Sequence, residues 1–288
     1  MRLIFILLSL FATLSLTSQE TRVFNTFHTT RVISSHSTET LWKKQLDFRV
    51  GHRFGDIAGA NGGYKTMFGI DNSSDIAVGF EYGVTNMFNI GLTRYKGAGP
   101  YRQLFEGYAK YKFLQQRTDR NPVSIVGIAK MYGTTMDAAL DNTTPTSFQT
   151  ATDRLSYSYQ ILFARKFSER FSLQLMPTFV HRNYVSYYDY NQTIAMGAGL
   201  RLQLTKMIGI IGEYHYVVNK PDANAAVHPF VYDPFGVAFE FNTGGHIFQI
   251  NVTNSRGFGE AQYIPSTFAD AASGQVRVGF TISRIFKL

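Results

Sequence analysis

Glu213 and His215 lie two residues apart, the spacing that sets both side chains on one face of an extended strand. A carboxylate beside an imidazole can serve as a general base for hydrolysis, and His215 is the best candidate for such a base in this chain. The same pair inside a closed sheet serves equally well in a structural polar network, and the sequence favours that use. Gly59-Ala60-Asn61-Gly62-Gly63-Tyr64-Lys65-Thr66 approaches a phosphate-binding loop, but Tyr64 stands where the glycine before the lysine is needed, and no helix pattern follows. A surface loop is the better reading. The seven histidines (His28, His36, His52, His181, His215, His228 and His246) include no pair at a metal-binding helical spacing. The chain has no cysteine, which excludes disulfides, thiol catalysis, zinc knuckles and iron–sulfur sites. No catalytic set, metal or cofactor is expected.

The more informative residues are charges at alternate positions. Asp47, Arg49, Arg53, Asp75, Glu81, Glu106, Lys110, Lys112, Lys130, Lys166, Arg182, Arg201, Glu213, Glu240 and Arg277 all fall opposite the apolar residues of their segments. On a lipid-facing surface a Lys or Arg costs about 2–4 kcal/mol at mid-depth. The charged face therefore points inward, and Asp47, Arg49, Arg53, Glu81, Glu106, Lys110, Lys112, Arg201, Glu213, His215, Glu240 and Arg277 are expected to form a polar lumen network. Such a lumen either pairs its charges and fills, or lines a narrow wet path.

The elements that position these residues alternate with period two. Leu155, Tyr157, Tyr159, Ile161 and Phe163 oppose Ser156, Ser158, Gln160 and Ala164; Val276, Val278, Phe280 and Ile282 oppose Arg277, Gly279 and Thr281. Twelve segments read this way: 46–54, 75–84, 87–95, 103–115, 122–132, 154–167, 171–182, 193–204, 207–218, 235–241, 246–254 and 274–288. Most are 9–13 residues long, the length of a tilted membrane-crossing strand rather than a soluble one. Connections after even-numbered segments are short and those after odd-numbered ones mostly long, which is the signature of an antiparallel transmembrane β-barrel with short periplasmic turns and longer extracellular loops. The segments 122–132 and 246–254 are the weakest of the twelve. Aromatic residues fall near segment ends. Tyr82, Phe88, Phe113, Phe167, Phe171, Phe241 and Phe248 flank short turns, and Tyr95, Tyr101, Tyr132, Tyr157, Tyr184, Tyr216 and Phe235 flank long loops, as two interfacial belts would require.

Ahead of the barrel, Met1-Arg2 followed by an apolar stretch from Leu3 to Leu16 has the order of a secretory signal, expected over residues 1–18. Fourteen residues are too few for a spanning helix. Residues 19–45 are polar, with Phe24, Phe27, Val32 and Ile33 as anchors, and form either a lumenal block or a periplasmic tail. Residues 46–288 make the barrel.

The segment Thr29–Thr40 leading into Leu46–Gly55, then Phe68–Asp71, Glu81–Thr85, Gly107–Lys112 and Gly279–Phe286, resembles a family of Gram-negative, Bacteroidetes-type outer-membrane β-barrels. The resemblance covers nearly the whole chain after the signal. It implies the fold and a bacterial outer-membrane location, and it carries no catalytic residues. The aromatic C-terminal strand ending Arg284-Ile285-Phe286-Lys287-Leu288 resembles the signal read by barrel-insertion machinery, with Phe286 third from the end. The expected surroundings are outer-membrane lipid and lipopolysaccharide.

The formal net charge is +8, which on its own suggests an anionic partner such as nucleic acid. Sorted by segment, the long loops sum to −5 and the short turns to +2. The outer surface is thus acidic, nucleic acid drops out, and the positive excess belongs to the barrel wall. The function expected is passage or transport-linked binding of small solutes, with a slight preference for anions. The alternative is a non-transporting structural or accessory barrel using the 133–153 and 255–273 loops as contacts. An outer-membrane hydrolase stands third.

Overall fold

A computed structural model of the chain describes residues 21–59, 61–141, 144–222 and 229–288. The expected signal, residues 1–18, lies outside the described residues. Twelve antiparallel strands close into one barrel: β1 Gln45–Phe54, β2 Ser73–Gly83, β3 Phe88–Lys96, β4 Gln103–Leu114, β5 Ser124–Thr134, β6 Leu155–Lys166, β7 Phe171–Arg182, β8 Gln192–Gln203, β9 Ile208–Val217, β10 Phe235–Asn242, β11 Ile247–Thr253 and β12 Arg277–Lys287. Each strand pairs with its sequence neighbours. Closure comes from β1 against β12, in a register running from Gln45 opposite Lys287 to Arg53 opposite Gly279. Closure leaves no strand edge unpaired, the condition for a sheet to sit in lipid. No helix among the described residues is long and apolar enough to cross a membrane.

The alternation in the sequence decides which side each residue takes. Phe80, Leu92, Ile161, Leu175, Ile194, Phe239 and Ile250 point outward as exposed apolar side chains. The charges in the outward phase, Arg94, Lys96, Arg165 and Arg284, lie near strand ends, with Arg94 stacked on Phe105 and Arg284 on Phe286. There a long side chain reaches the headgroup level at little cost. The turn-side aromatics lie on the outer surface. Three residues of the other expected belt do not. Tyr95, Tyr101 and Tyr132 are buried in the lumen, where they pack with Phe258 and Tyr263. Proximity to a strand end does not fix the face: Tyr95 and Tyr132 occupy the inward phase of β3 and β5, and Tyr101 precedes β4 in the connecting loop.

The lumen is filled from both rims. From the short-turn rim, residues 26–38 enter as a tight hairpin. Val32 N–H donates to the Ser35 carbonyl and Ser37 N–H to the Thr30 carbonyl. Phe27, Val32 and Ile33 bury against Ala164, Ile211 and Ala238 of the wall. From the long-loop rim, the 254–276 connection dips inward and carries a single-turn helix, α1 (Glu260–Tyr263), whose four residues are all buried. Apart from the exposed Arg256, residues 255–264 are therefore not the contact surface expected of this loop; Phe258, Ala261, Tyr263 and Ile264 have apolar bulk that the lumen covers. One cavity between the inserts and the wall, of about 40 Å³, runs along β1–β4 and is bounded by Asp47, Arg49, Glu81 and Tyr108.

Candidate functional site: a polar lumen closed by two inserts

Of the fifteen charged wall positions, thirteen are buried, and Arg49 and Lys166 are partly exposed. Burying a charge is costly unless it is paired and hydrogen-bonded, so the partners identify what the lumen is built to hold. Most of those partners belong to the inserts.

At mid-depth, the N–H groups of Ile33, Ser34 and Ser35 donate to the Glu213 carboxylate over 3.1, 3.1 and 3.0 Å. Successive amides converging on one anion make a small cradle, and here the hairpin tip forms it around a wall residue. Lys110 donates to the Thr30 carbonyl at 3.3 Å and to the Glu39 carbonyl, with Glu81 at 3.8 Å. Gln174 accepts from Thr38 N–H at 2.9 Å and donates to the His36 carbonyl at 2.7 Å. Gln249 donates to the Val32 carbonyl at 3.0 Å. The wall thus holds the hairpin chiefly by its backbone.

Two chains of contacts join the inserts to each other. Arg31 of the hairpin pairs with Glu106 at 3.1 Å, Glu106 with Lys130 at 3.5 Å, and Lys130 with Glu260 of α1 at 2.6 Å. Tyr132 also donates to Glu260, at 2.9 Å. Arg53 donates to Ser34 Oγ at 2.6 Å and to the Gly257 carbonyl, with its guanidinium over the Phe258 ring. Nearer the long loops, Arg277 pairs with Asp56, and the Asp75 carboxylate accepts N–H groups of Ala98 and Phe258. Nearer the short turns, Arg201 and His28 both pair with Glu240, at 3.2 and 3.1 Å, and Arg49 pairs with Asp47 at 3.0 Å. Lys112 donates to Gln115, and among the described residues no carboxylate lies within ion-pair distance of it, Glu39 acting only at longer range.

The Glu213–His215 pair gains a neighbour that strand spacing could not reveal. Ser35 Oγ lies 3.0 Å from His215 Nε2 and 2.7 Å from Tyr263 Oη. This is not the arrangement of a serine triad. In a triad the carboxylate holds the imidazole nitrogen opposite the serine. Here Glu213 lies 3.7 Å from the same Nε2, while Nδ1 has no partner. Ser35, His215 and Tyr263 are all fully buried. The group locks the hairpin to α1.

Sequence reasoning found the wall charges but not Ser34, Ser35, Gln174, Gln249, Phe258, Glu260 or Tyr263. Ser35 and Tyr263 lie outside the strands, so strand periodicity says nothing of them. The one available signal was the composition of 26–38, rich in small hydroxyl residues that suit a hydrogen-bonded segment in a polar cavity.

A closed barrel of even strand count, with short turns on one rim and long loops on the other, defines an outer-membrane β-barrel protein. The chain belongs to the family of membrane-bound β-barrel domains (DUF5777), whose model matches residues 27–286. That match takes in the hairpin as well as the strands. Among solved structures the chain is similar to the KdgM porin, with a TM-score of 0.49 and 11% identity over 84% of this chain and 99% of that one. It is similar to the NanC porin, with a TM-score of 0.48 and 8% identity over 84% and 100%. It is also similar to Omp33 of Acinetobacter baumannii, with a TM-score of 0.44 and 8% identity over 85% and 99%. No curated protein sequence matches it.

Proposed function

We propose that the protein is a narrow transport barrel for small solutes, held shut by its N-terminal hairpin together with the 255–264 insert and opened when they leave the lumen. The observation that carries this reading is the chemistry of the closure. The wall binds residues 30–38 through hydrogen bonds to backbone amides and carbonyls, and through charges that water solvates equally well. A lumen meant to stay dry is as well or better served by apolar side chains, because replacing buried ion pairs with packed hydrophobes is often neutral or stabilising. Retaining charges of both signs around a separable hairpin fits a lumen that alternates between filled and wet. The wall's basic excess favours anions. Small solute, membrane lipid and lipopolysaccharide are the ligands of this reading. Export through the 1–18 leader and assembly by barrel-insertion machinery precede function, and the sequence words quoted above support a Gram-negative, Bacteroidetes-type origin. The Ser35–His215 contact has no catalytic part in it.

Planar-bilayer recording tests the proposal. The full chain should be closed for most of the record. A variant lacking residues 21–38 and shortened across 256–264 should conduct, with reversal potentials leaning toward anions. Absence of conductance in that doubly relieved barrel would refute transport. It would favour the second reading, a non-transporting accessory barrel, which the filling of the lumen from both rims also supports.

A further inference from the structure

We infer that the vestibule beneath the hairpin, on the short-turn side, is a binding site for an amphipathic organic anion, of which an aryl carboxylate is the simplest member. The vestibule is a cavity of about 500 Å³, within the size range of small-molecule sites. Its wall combines two features such sites need, an apolar surface and a few converging polar groups.

The apolar surface comes from Phe24, Leu41, Trp42 and Ile285. Phe24 and Trp42 present tilted rings with centroids 5.8 Å apart, and Trp42 is half exposed although bulky and apolar. A half-exposed indole at the mouth of a polar lumen offers apolar area that a ligand's apolar body can cover with a gain in free energy.

The polar groups are cations: Lys112, Arg117 and Arg120, with Arg22 on the same wall. Arg117 and Arg120 share Asp119, and the one carboxylate lining the cavity, Glu39, is engaged by the N–H groups of Thr26 and Phe27. Lys112 is the sharpest case. It is buried and lines this cavity, its ammonium donates to the neutral Gln115 side chain, and among the described residues no carboxylate lies within ion-pair distance of it, Glu39 acting only at longer range. A buried ammonium without a close counter-ion is unfavourable, and an anion in the vestibule supplies one. An aryl carboxylate satisfies both halves, with its ring against Phe24 and Trp42 and its carboxylate toward Lys112 and the arginines of the 115–121 turn.

This inference rests on the transport reading only in treating the ligand as a solute. Binding is measured without conduction, so either idea can fail while the other stands. Trp42 is the only tryptophan in the chain, so its fluorescence reports the vestibule alone. The full chain in neutral detergent is titrated with 3-phenylpropionate, 3-phenylpropylamine and inorganic phosphate, with calorimetry in parallel. Phenylpropionate should give a saturable change in Trp42 emission, and the amine and phosphate should give none. Lys112→Gln should weaken binding about tenfold, the size of one charge-assisted hydrogen bond. Trp42→Ala, a change at an exposed side chain, should weaken it by calorimetry even if Lys112→Gln fails to fold. Equal response to the amine, equal response to phosphate, no saturable signal by either method, or unchanged affinity in both variants would overturn the assignment. Competition by anionic lipid in nanodiscs, with none by zwitterionic lipid, would overturn the solute and assign the site to a lipid headgroup.

Discussion

Glu213→Gln is the most direct way to loosen the hairpin. In the native barrel three amides converge on one carboxylate oxygen, Glu213 Oε2, at 3.1, 3.1 and 3.0 Å. A glutamine can set its single carbonyl oxygen in the same place, so it keeps three acceptor contacts and loses the charge. The substitution therefore turns three charge-assisted bonds into neutral ones. A hydrogen bond to a charged group contributes about 1.5–3 kcal/mol against about 1 kcal/mol for a neutral one, so at about 1 kcal/mol per bond the docked hairpin loses about 3 kcal/mol. At 1.36 kcal/mol per tenfold, that raises the released fraction roughly 150-fold. The chain has no cysteine, which makes thiol labelling a clean assay. Val32, at the hairpin tip, is fully buried, so Val32→Cys reacts with a water-soluble maleimide only when the hairpin leaves. When opening and closing are fast, the labelling rate follows the open fraction. The rate should rise by two orders of magnitude on adding Glu213→Gln. An unchanged rate, in a barrel whose circular dichroism and heat stability match the parent, would show that the Glu213 contact does not hold the hairpin.

Acidification should act in the same direction through His36. Burial holds its pKa well below the ordinary 6.5, and the nearby Arg31, Lys130, Lys110 and Arg49 push it the same way. Both ring nitrogens lack partners, so the docked form is neutral, and the released form takes up a proton near the ordinary value. Docking is therefore at full strength above pH 6.5 and weakens by up to about 1.4 kcal/mol per pH unit below it. Val32→Cys labelling should accelerate from pH 7 to pH 5, and His36→Gln should flatten that dependence; an equal slope with and without His36 refutes the assignment. Gly197→Ala places a methyl 2.6 Å from His215 Nδ1. It should push the ring away from Ser35 and Tyr263 at a cost of about 1–3 kcal/mol, seen as a lower transition temperature, and no change would mean that the ring relaxes freely. Ile161→Arg on the lipid face should lower folding free energy in bilayers by about 2–4 kcal/mol. A neutral result in reversible-folding titrations would contradict the assignment of that face.

The twelve strands were legible because closure and lipid impose a strict rule on every one of them. In β6 and β12 alike, one phase must be apolar and the other must hide its charges, so Ile161 and Phe280 announce the outside, and Gln160 and Arg277 the inside. Even 122–132 and 246–254, the faintest segments, became β5 and β11. The same rule carried the lumen positions of Asp47, Glu106, Lys110 and Glu213. It also places Tyr95 and Tyr132 inside, against the expectation drawn from their nearness to long loops, whereas Tyr101 precedes β4 and has no strand phase.

The sequence by itself determined the barrel, its orientation and the inward face of its charges, since these follow from period-two alternation and loop length, which are local properties. Only the tertiary structure decided what the charges meet. Glu213 could have paired across the wall, lined water or served a base; it cradles the amides of Ile33, Ser34 and Ser35, contributed from some 180 residues away. Ser35 meets Tyr263 across 228 positions of chain. Contacts between residues that far apart carry no periodic trace, because they arise from two non-strand inserts entering the lumen from opposite rims. The wall was written in the alternation, whereas its closure is set by the fit of those inserts against it.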